Sequence, residues 1–186
     1  MRPGGGGRIG RGRALRPVLV RTTRTQWLAR RGCVFAWAAG GLFMASSGHA
    51  AVTCAASATG VAFGNYSPLQ TTATTSTGTV VVSCSATGAG GTVTLLFDLS
   101  AGMSGSYSPR KMFSGTHTLT YNLYLNTAHT QIWGDGTGGT AAISTTLTVT
   151  PRRAAQARQT VYGVIPSGQD VAAGSYSDTI VVTVSY

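Results

Sequence analysis

The stretch Ile180-Val181-Val182-Thr183-Val184-Ser185-Tyr186 carries the most regular pattern in the chain. Because side chains alternate between the two faces of a strand, four apolar residues would share one face. These residues are Ile180, Val182, Val184 and Tyr186. The pattern predicts a half-buried β-strand. Its outer edge is expected either to stay free or to border a gap that another chain fills.

The residues before this strand also favour β structure. From residue 51 onward there is no Glu, Lys111 is the only lysine, and Thr, Val, Ser, Gly and Ala dominate. Thr and Val favour strands, whereas Gly and Ser favour turns. Short alternating runs predict strands near 59–63, 78–84, 92–99, 118–125, 141–150, 160–165 and 176–186, with a basic loop at 151–159. This arrangement is typical of an all-β sandwich.

The formal charge of +10 is distributed unevenly along the chain. Nine of the 14 cationic residues are arginines within the first 32 residues, and no acid accompanies them. The other five cations meet four aspartates, which leaves 5 − 4 = +1 for the remainder. We therefore expect no nucleic-acid partner, because the basic segment has the composition of a leader that is removed.

The first 50 residues predict a signal peptide with an over-long basic n-region. Residues 33–45 form an apolar run of h-region length, and small residues precede an expected cleavage between Ala50 and Ala51. Three alternatives are a later translation start near Val18, a twin-arginine signal at Arg30-Arg31, and a basic arm followed by an internal helix. Cleavage would leave one domain, 51–186, without a membrane span.

Cysteine usage agrees with export. Cys33 lies in the predicted leader, and the mature part keeps Cys54 and Cys84. An even pair in an exported protein predicts one disulfide. The alternative is two buried free thiols.

The sequence offers no constellation for catalysis, so we expect no enzyme, cofactor or metal site. Aspartate in the glycine-rich turn 134–139 is commonly a backbone cap, and His117 and His129 are expected at the surface. Trp133 and Asp135 are possible contacts for a surface ligand. An aromatic sugar-binding shelf of Trp133, Tyr121, Tyr124 and Tyr162 is a weaker alternative to core packing. The small basic cluster is expected to be a solvated loop: Arg152, Arg153 and Arg158.

Several phrases, in order, resemble the spore coat protein U domain family, which includes subunits of archaic, Csu-type chaperone–usher pili. They span most of residues 54–186. The phrases are Phe63-Gly64-Asn65-Tyr66-Ser67-Pro68-Leu69, Gly78-Thr79 leading to Cys84, Asp98-Leu99-Ser100-Ala101-Gly102, Arg110-Lys111-Met112, Tyr121-Asn122-Leu123-Tyr124, Trp133-Gly134-Asp135-Gly136-Thr137, Val161-Tyr162-Gly163-Val164-Ile165-Pro166 and Gly174-Ser175-Tyr176-Ser177-Asp178-Thr179.

The resemblance implies an immunoglobulin-like, pilin-type β-sandwich that lacks its last strand and is completed by a donor strand. It implies a periplasmic chaperone, an outer-membrane usher and other pilus subunits as partners, through β-strand addition. The chaperone and donor-strand edge would consist of Ile180, Val182, Val184 and Tyr186. The protein would pass through the periplasm to the cell surface and contribute to adhesion and biofilm formation.

One departure concerns the donor segment that a polymerising subunit needs. Cleavage after Ala50 leaves only Ala51-Val52-Thr53 ahead of Cys54. A useful donor strand needs roughly ten residues at about 3.3 Å each. This favours a terminal subunit or a coat protein, unless the leader itself supplies the arm, which its Arg/Gly composition disfavours. The alternative function is a complete, secreted adhesin or carbohydrate-binding module that uses loops 102–108 and 133–139.

Overall fold

The computed structural model describes residues 19–23 and 51–186. Apart from residues 19–23, the predicted leader lies outside the described part of the chain. The described residues form strands and loops, without a helix. The strands are β1 Leu19–Thr23, β2 Ala51–Thr59, β3 Thr74–Thr87, β4 Gly91–Leu99, β5 Arg110–Ser114, β6 His117–Tyr124, β7 Ile143–Val149, β8 Ala155–Ile165 and β9 Val181–Ser185.

These strands form two sheets, which confirms the predicted all-β sandwich. One sheet has the order β1-β9-β4-β7 and the other has the order β2-β3-β8-β6-β5. All pairs are antiparallel except that between β1 and β9, which is parallel. Strands that follow one another in sequence often lie in different sheets, so the chain crosses repeatedly between the layers.

The core lies between the two layers and is filled by alternating residues of both. Leu95 and Phe97 of β4 are fully buried, as are Val82 of β3 and Val184 of β9. The neighbouring residues on these strands are more exposed, as a two-layer packing requires. Trp133 is the largest fully buried side chain and belongs to this core.

The first strand of the domain differs from the prediction at 59–63. The strand is Ala51–Thr59, paired along its whole length with β3, and the chain then passes over the inner face of the same sheet. Two glycines make room for this passage. A Cβ at Gly78 would lie 2.6 Å from the Thr59 carbonyl oxygen, and one at Gly163 would lie 2.6 Å from a methyl of Val61. Residues 60–63 therefore pack as a crossing segment inside the sandwich.

One further prediction was wrong. The segment 151–159 was expected to be a loop, but Ala155–Ile165 forms one strand because its polar first half pairs with Val80–Cys84. The C-terminal strand predicted at 176–186 is present and shorter, from Val181 to Ser185. Among residues 176–180, Ser177 forms an isolated β-bridge with Phe113. The short strand β5 was not predicted.

The predicted disulfide joins Cys54 of β2 to Cys84 of β3. The two residues are direct cross-strand partners, with Cα atoms 4.0 Å apart. Cys84 is fully buried, so the bond ties the edge strand β2 to the core of its sheet.

We expect Cys54→Ser to destabilise the domain. The bond closes a loop with a sequence separation of 30, and loop-closure entropy for such a loop corresponds to about 3–4 kcal/mol. Thermal melts under oxidising conditions measure the effect, and the wild type melted in a reductant is the matched comparison. An unchanged melting temperature for the variant would show that the bond does not constrain the unfolded chain.

Candidate functional site

The candidate site is the edge of β9, the strand that closes the chain. On one side β9 pairs antiparallel with β4, from Leu96↔Ser185 to Leu99↔Val182. On its other side lies β1, which runs parallel in the register Leu19↔Val181 to Thr23↔Ser185. β1 also approaches β2 at the border of the second sheet. β9 is therefore paired on both sides, and β1 is the outermost strand of this sheet.

The faces of β9 follow the alternation predicted from the sequence. Ile180, Val182 and Val184 are 5%, 2% and 0% exposed, respectively. Tyr186 is half-buried against the same core, and its hydroxyl oxygen accepts a hydrogen bond from the Cys54 backbone N–H at 3.3 Å. The strand thus offers its apolar face to the core and its backbone edge to a neighbouring strand.

A small apolar cavity of about 20 Å³ lies between the sheets where β9 begins and β2 ends. Val182 of β9 and the preceding residue Ile180 line it, as do Leu99 of β4 and Val161 of β8. Its volume is near the minimum that one water needs, but an apolar cavity of this kind offers water few polar partners. The packing at this end of the edge is therefore incomplete.

A network of hydrogen-bonded polar residues holds the start of β9. We call it the polar hub, and its members are Ser100, Arg110, Asn122, Tyr121 and Asp178. The Ser100 backbone N–H donates to the Val181 carbonyl at 2.9 Å, and the Val181 N–H donates to the Ser100 hydroxyl at 2.9 Å. Arg110 in turn holds the Ser100 carbonyl through Nε at 3.2 Å and Nη2 at 2.9 Å. The guanidinium also donates to the Trp133 carbonyl at 2.7 Å and to Asn122 Oδ1 at 2.9 Å.

Arg110 is completely buried. Burial lowers the pKa of Arg110, whereas nearby Tyr121, Tyr107, Asp178 and Asp135 act in the opposite direction. The guanidinium carbon lies 5.0 Å from the centroid of the Tyr107 ring, which adds a cation–π contact. A buried cation is tolerated here because carbonyl oxygens, an amide oxygen and an aromatic face surround it.

Asp178 forms the second half of the hub and is 1% exposed. Its Oδ1 accepts from the backbone N–H groups of Met103 and Thr179 at 2.8 and 2.7 Å, and its Oδ2 accepts from the Tyr121 hydroxyl at 2.6 Å. Burial, and secondarily Asp178, raise the pKa of Tyr121. Gly102 is required beside this carboxylate, since a Cβ there would lie 2.2 Å from Asp178 Oδ2.

The two predicted surface contacts, Trp133 and Asp135, separate in the structure. Trp133 is fully buried and its Nε1 donates to the Phe97 carbonyl at 3.2 Å, so its indole ring is not available to a surface ligand. Asp135 is exposed, and its Oδ1 accepts from the N–H and hydroxyl of Thr137 at 3.0 and 2.7 Å, which lowers the pKa of Asp135. A ligand contact at Asp135 stays a prediction.

Asp98 lies near Asp135 and has an unusual environment. Its Oδ1 is buried, and no donor among the described residues reaches it. Burial, followed by the charge of Asp135, raises the pKa of Asp98. Burial, followed by a hydrogen bond to Asp135, likewise raises the pKa of Tyr107.

We expect Asp98→Asn to make the domain more stable at neutral pH. Because the folded state holds the Asp98 proton more tightly, stability falls as the pH rises above 3.8 through the raised pKa. The variant should therefore melt above the wild type at about pH 7, and the difference should shrink toward about pH 3. Melting curves across this range measure the effect, with the exposed Asp170→Asn as control. A constant offset at every pH would assign the change to packing instead.

Within the described residues, no group of three or more His, Cys, Asp or Glu side chains is placed to hold a metal ion. Those residues also contain no helix that is long and apolar enough to cross a membrane.

The described residues form a two-layer, all-β sandwich whose C-terminal strand lies between β4 and β1. A family model, the Spore Coat Protein U domain, matches residues 41–183, and the chain belongs to that family.

Two known proteins are similar to this chain. Protein U of Myxococcus xanthus is 32% identical over 89 residues, which are 46% of this chain and 45% of that protein. The match therefore spans less than half of that relative. The crystal structure of the CsuC–CsuE chaperone–tip adhesion subunit pre-assembly complex, from archaic chaperone–usher Csu pili of Acinetobacter baumannii, contains a similar chain. The identity is 23% and the TM-score is 0.46, with 73% of this chain and 40% of that chain covered.

Proposed function

We propose that this protein is an exported structural subunit of a surface pilus or coat that is assembled by β-strand addition at the edge of β9. The observation that carries the proposal is the parallel pairing of Leu19–Thr23 with Val181–Ser185. An added strand satisfies the backbone groups of an edge, and its alternate side chains find pockets between the sheets.

The apolar cavity supports the same proposal. It lies beside Ile180 and Val182, at the end of the edge where β9 begins. A donor strand with an apolar side chain at this level would fill the cavity and exclude water from Leu99 and Val161. Without β1, the edge would offer both unpaired backbone groups and an unfilled apolar site.

Removal of the proposed leader would take β1 away and leave the edge of β9 unpaired. Cleavage between Ala50 and Ala51 separates β1 from the domain, and a periplasmic chaperone would then supply the missing strand until assembly through the usher. All of Ala51–Thr59 is paired with β3, so the cleaved chain keeps no free N-terminal donor arm. We therefore propose a terminal or coat position, from which the subunit contributes to adhesion and biofilm formation.

The test compares residues 51–186 with the full chain. We expect residues 51–186 alone to be poorly soluble or to melt well below the full chain, because the edge of β9 is then unpaired. A synthetic peptide of residues 14–28, added in trans, should raise the melting temperature progressively, with the logarithm of its concentration once that exceeds the Kd. A scrambled peptide of the same composition is the control.

Co-expression with a periplasmic chaperone encoded beside the gene provides the second arm. Recovery of residues 51–186 as a one-to-one complex with that chaperone is the expected result. If residues 51–186 alone form a cooperative monomer as stable as the full chain, and neither peptide nor chaperone binds, the sandwich is complete and the proposal fails.

A further inference from the structure

The outer face of the five-stranded sheet carries a row of side chains far from the β9 edge. Thr77 of β3 is the cross-strand partner of Tyr162 of β8, and Tyr162 is the partner of Tyr124 of β6. Directly opposite residues share one face of a sheet, so the two tyrosines and the threonine form a continuous row. Tyr124 and Tyr162 are half-buried, which leaves part of each exposed to solvent.

A cleft of about 400 Å³ opens over this row. Its lining consists of hydroxyl-bearing and aromatic side chains: Thr75, Ser76, Thr77, Thr127, His129 and Tyr162. No carboxylate contributes to it. A cleft of this size with hydroxyl and aromatic walls suits a polar organic ligand that also has an apolar face.

The wall formed by His129 is held in place by its loop. His129 has a φ of 53°, which is uncommon for a residue other than glycine, and its ring centroid lies 5.4 Å from that of Tyr124. Three hydrogen bonds close the turn. Asn126 Nδ2 donates to the Thr130 hydroxyl, the Thr130 N–H donates to Asn126 Oδ1, and the His129 N–H donates to the Asn126 carbonyl. The imidazole is thus positioned before any ligand arrives, at a backbone conformation that functional sites often retain.

A second cleft of about 250 Å³ adjoins the first, because Thr77 lines both. Its other polar walls are Ser57, Thr59, Thr79 and Arg158. Arg158 is exposed, and no carboxylate in the described part of the chain forms an ion pair with it. The two clefts together form a groove with an aromatic end at Tyr162 and a cationic end at Arg158.

We propose that this groove binds an acidic oligosaccharide. A sugar ring has a face of C–H groups that packs on an aromatic ring and a rim of hydroxyls that exchange hydrogen bonds with threonine and serine. Arg158 supplies two parallel donors for a carboxylate or sulfate on a neighbouring sugar. Tyr162 follows Arg158 by four positions along β8, about 13 Å along a strand, which is longer than one sugar ring.

The features of the groove favour this ligand over two others. A nucleic-acid strand needs several cations along its backbone, and Arg158 is the only one that lines the two clefts. An extended peptide adds to the edge of a sheet, whereas the two clefts open over the outer face, where Thr77 and Tyr162 are cross-strand partners. An oligosaccharide uses the face of a sheet and needs no free backbone groups.

The test applies the full-length protein to an array of oligosaccharides that contain uronic acid, sialic acid or sulfate, each beside its neutral counterpart. We expect binding to at least one acidic member. Arg158→Ala should weaken that binding about tenfold, the change expected for loss of one charge-assisted contact, and should leave the weaker neutral counterpart unchanged. Tyr162→Leu should weaken both, and Tyr162→Phe, which keeps the ring, should weaken neither.

Arg153→Ala is the matched charge control, since Arg153 is exposed and lines neither cleft. A melting curve for each variant confirms that it is folded. Absence of binding to every acidic member would overturn the proposal, as would equal losses for Arg158→Ala and Arg153→Ala, because net charge alone would then explain the binding. Thr77→Val, which keeps the shape and removes the hydroxyl shared by the clefts, should also reduce affinity if the groove is continuous.

Discussion

Val182→Asp is expected to leave almost no folded protein. Val182 is 2% exposed, faces the core from β9 and pairs with Leu99 of β4. Its surroundings are the apolar walls of the cavity, where no cation is available to a carboxylate. Burying an unpaired charge costs more than the few kcal/mol by which a domain is usually stable, so the chain either unfolds or displaces β9. Displacement of β9 would also remove the edge that accepts a strand.

The measurement is the amount of soluble protein in the periplasm and its retention by the chaperone. Val181→Asp is the matched control, because it places the same charge on the same strand with the side chain on the more exposed face. We expect the control to accumulate and Val182→Asp to be degraded. Equal accumulation of the two variants, with chaperone binding intact, would contradict the assignment of this face.

Arg110→Met is expected to have an effect of similar size. The substitution preserves much of the side-chain volume but removes the donors to the Ser100 and Trp133 carbonyls. Asn122 Oδ1 loses one of its two donors and keeps the Leu123 N–H. Each buried acceptor left without a donor costs about 1–3 kcal/mol. Because Ser100 also holds the first residue of β9, the loss should reach the strand-accepting edge.

Chemical denaturation of the full chain measures this loss. Arg153→Met, at an exposed position, is the control and should leave the unfolding midpoint unchanged. Arg110→Lys should fall between the two, because an ammonium group keeps the charge but cannot reproduce the planar fork. A midpoint for Arg110→Met within error of the wild type would show that the hub does not support the fold.

The terminal strand was predictable because both its residue types and their alternation favour a strand. Ile180, Val182 and Val184 are β-branched, and one face of the strand is entirely apolar, so sequence and packing agree. The disulfide was predictable for a different reason. Residues 51–186 contain two cysteines, so only one pairing within them is possible.

The first strand and the first half of β8 were not predictable from local residues. Ala55-Ala56-Ser57-Ala58 has weak strand preference, and Arg158 lies in a polar segment. Both segments become strands because β3 is long enough to pair with each of them, from Thr74 to Thr87. The length of β3 therefore decides that both segments form strands, and the local sequence of either segment does not show this.

The polar hub was hidden from sequence reasoning for a related reason. Arg110 belonged to a phrase that resembled the family, but an arginine in a polar stretch is expected at the surface. Its burial follows from the meeting of Ser100, Asn122 and Trp133, which are far apart in the chain. The one available signal was the scarcity of charged residues, since only five cationic residues follow residue 32.

The small number of basic residues also limits the positions at which trypsin-like proteases, which cut after lysine and arginine, can cleave the folded domain. Of the five basic residues in 51–186, Arg110 is buried, Lys111 belongs to β5 and Arg158 belongs to β8. Only Arg152 and Arg153 lie outside strands, and both are exposed in the connection between β7 and β8. A nick there would leave β7 paired with β4 and β8 paired with β3, so both fragments would stay within the sandwich. If the protein is exported as proposed, it presents extracellular proteases of this specificity with a single vulnerable loop.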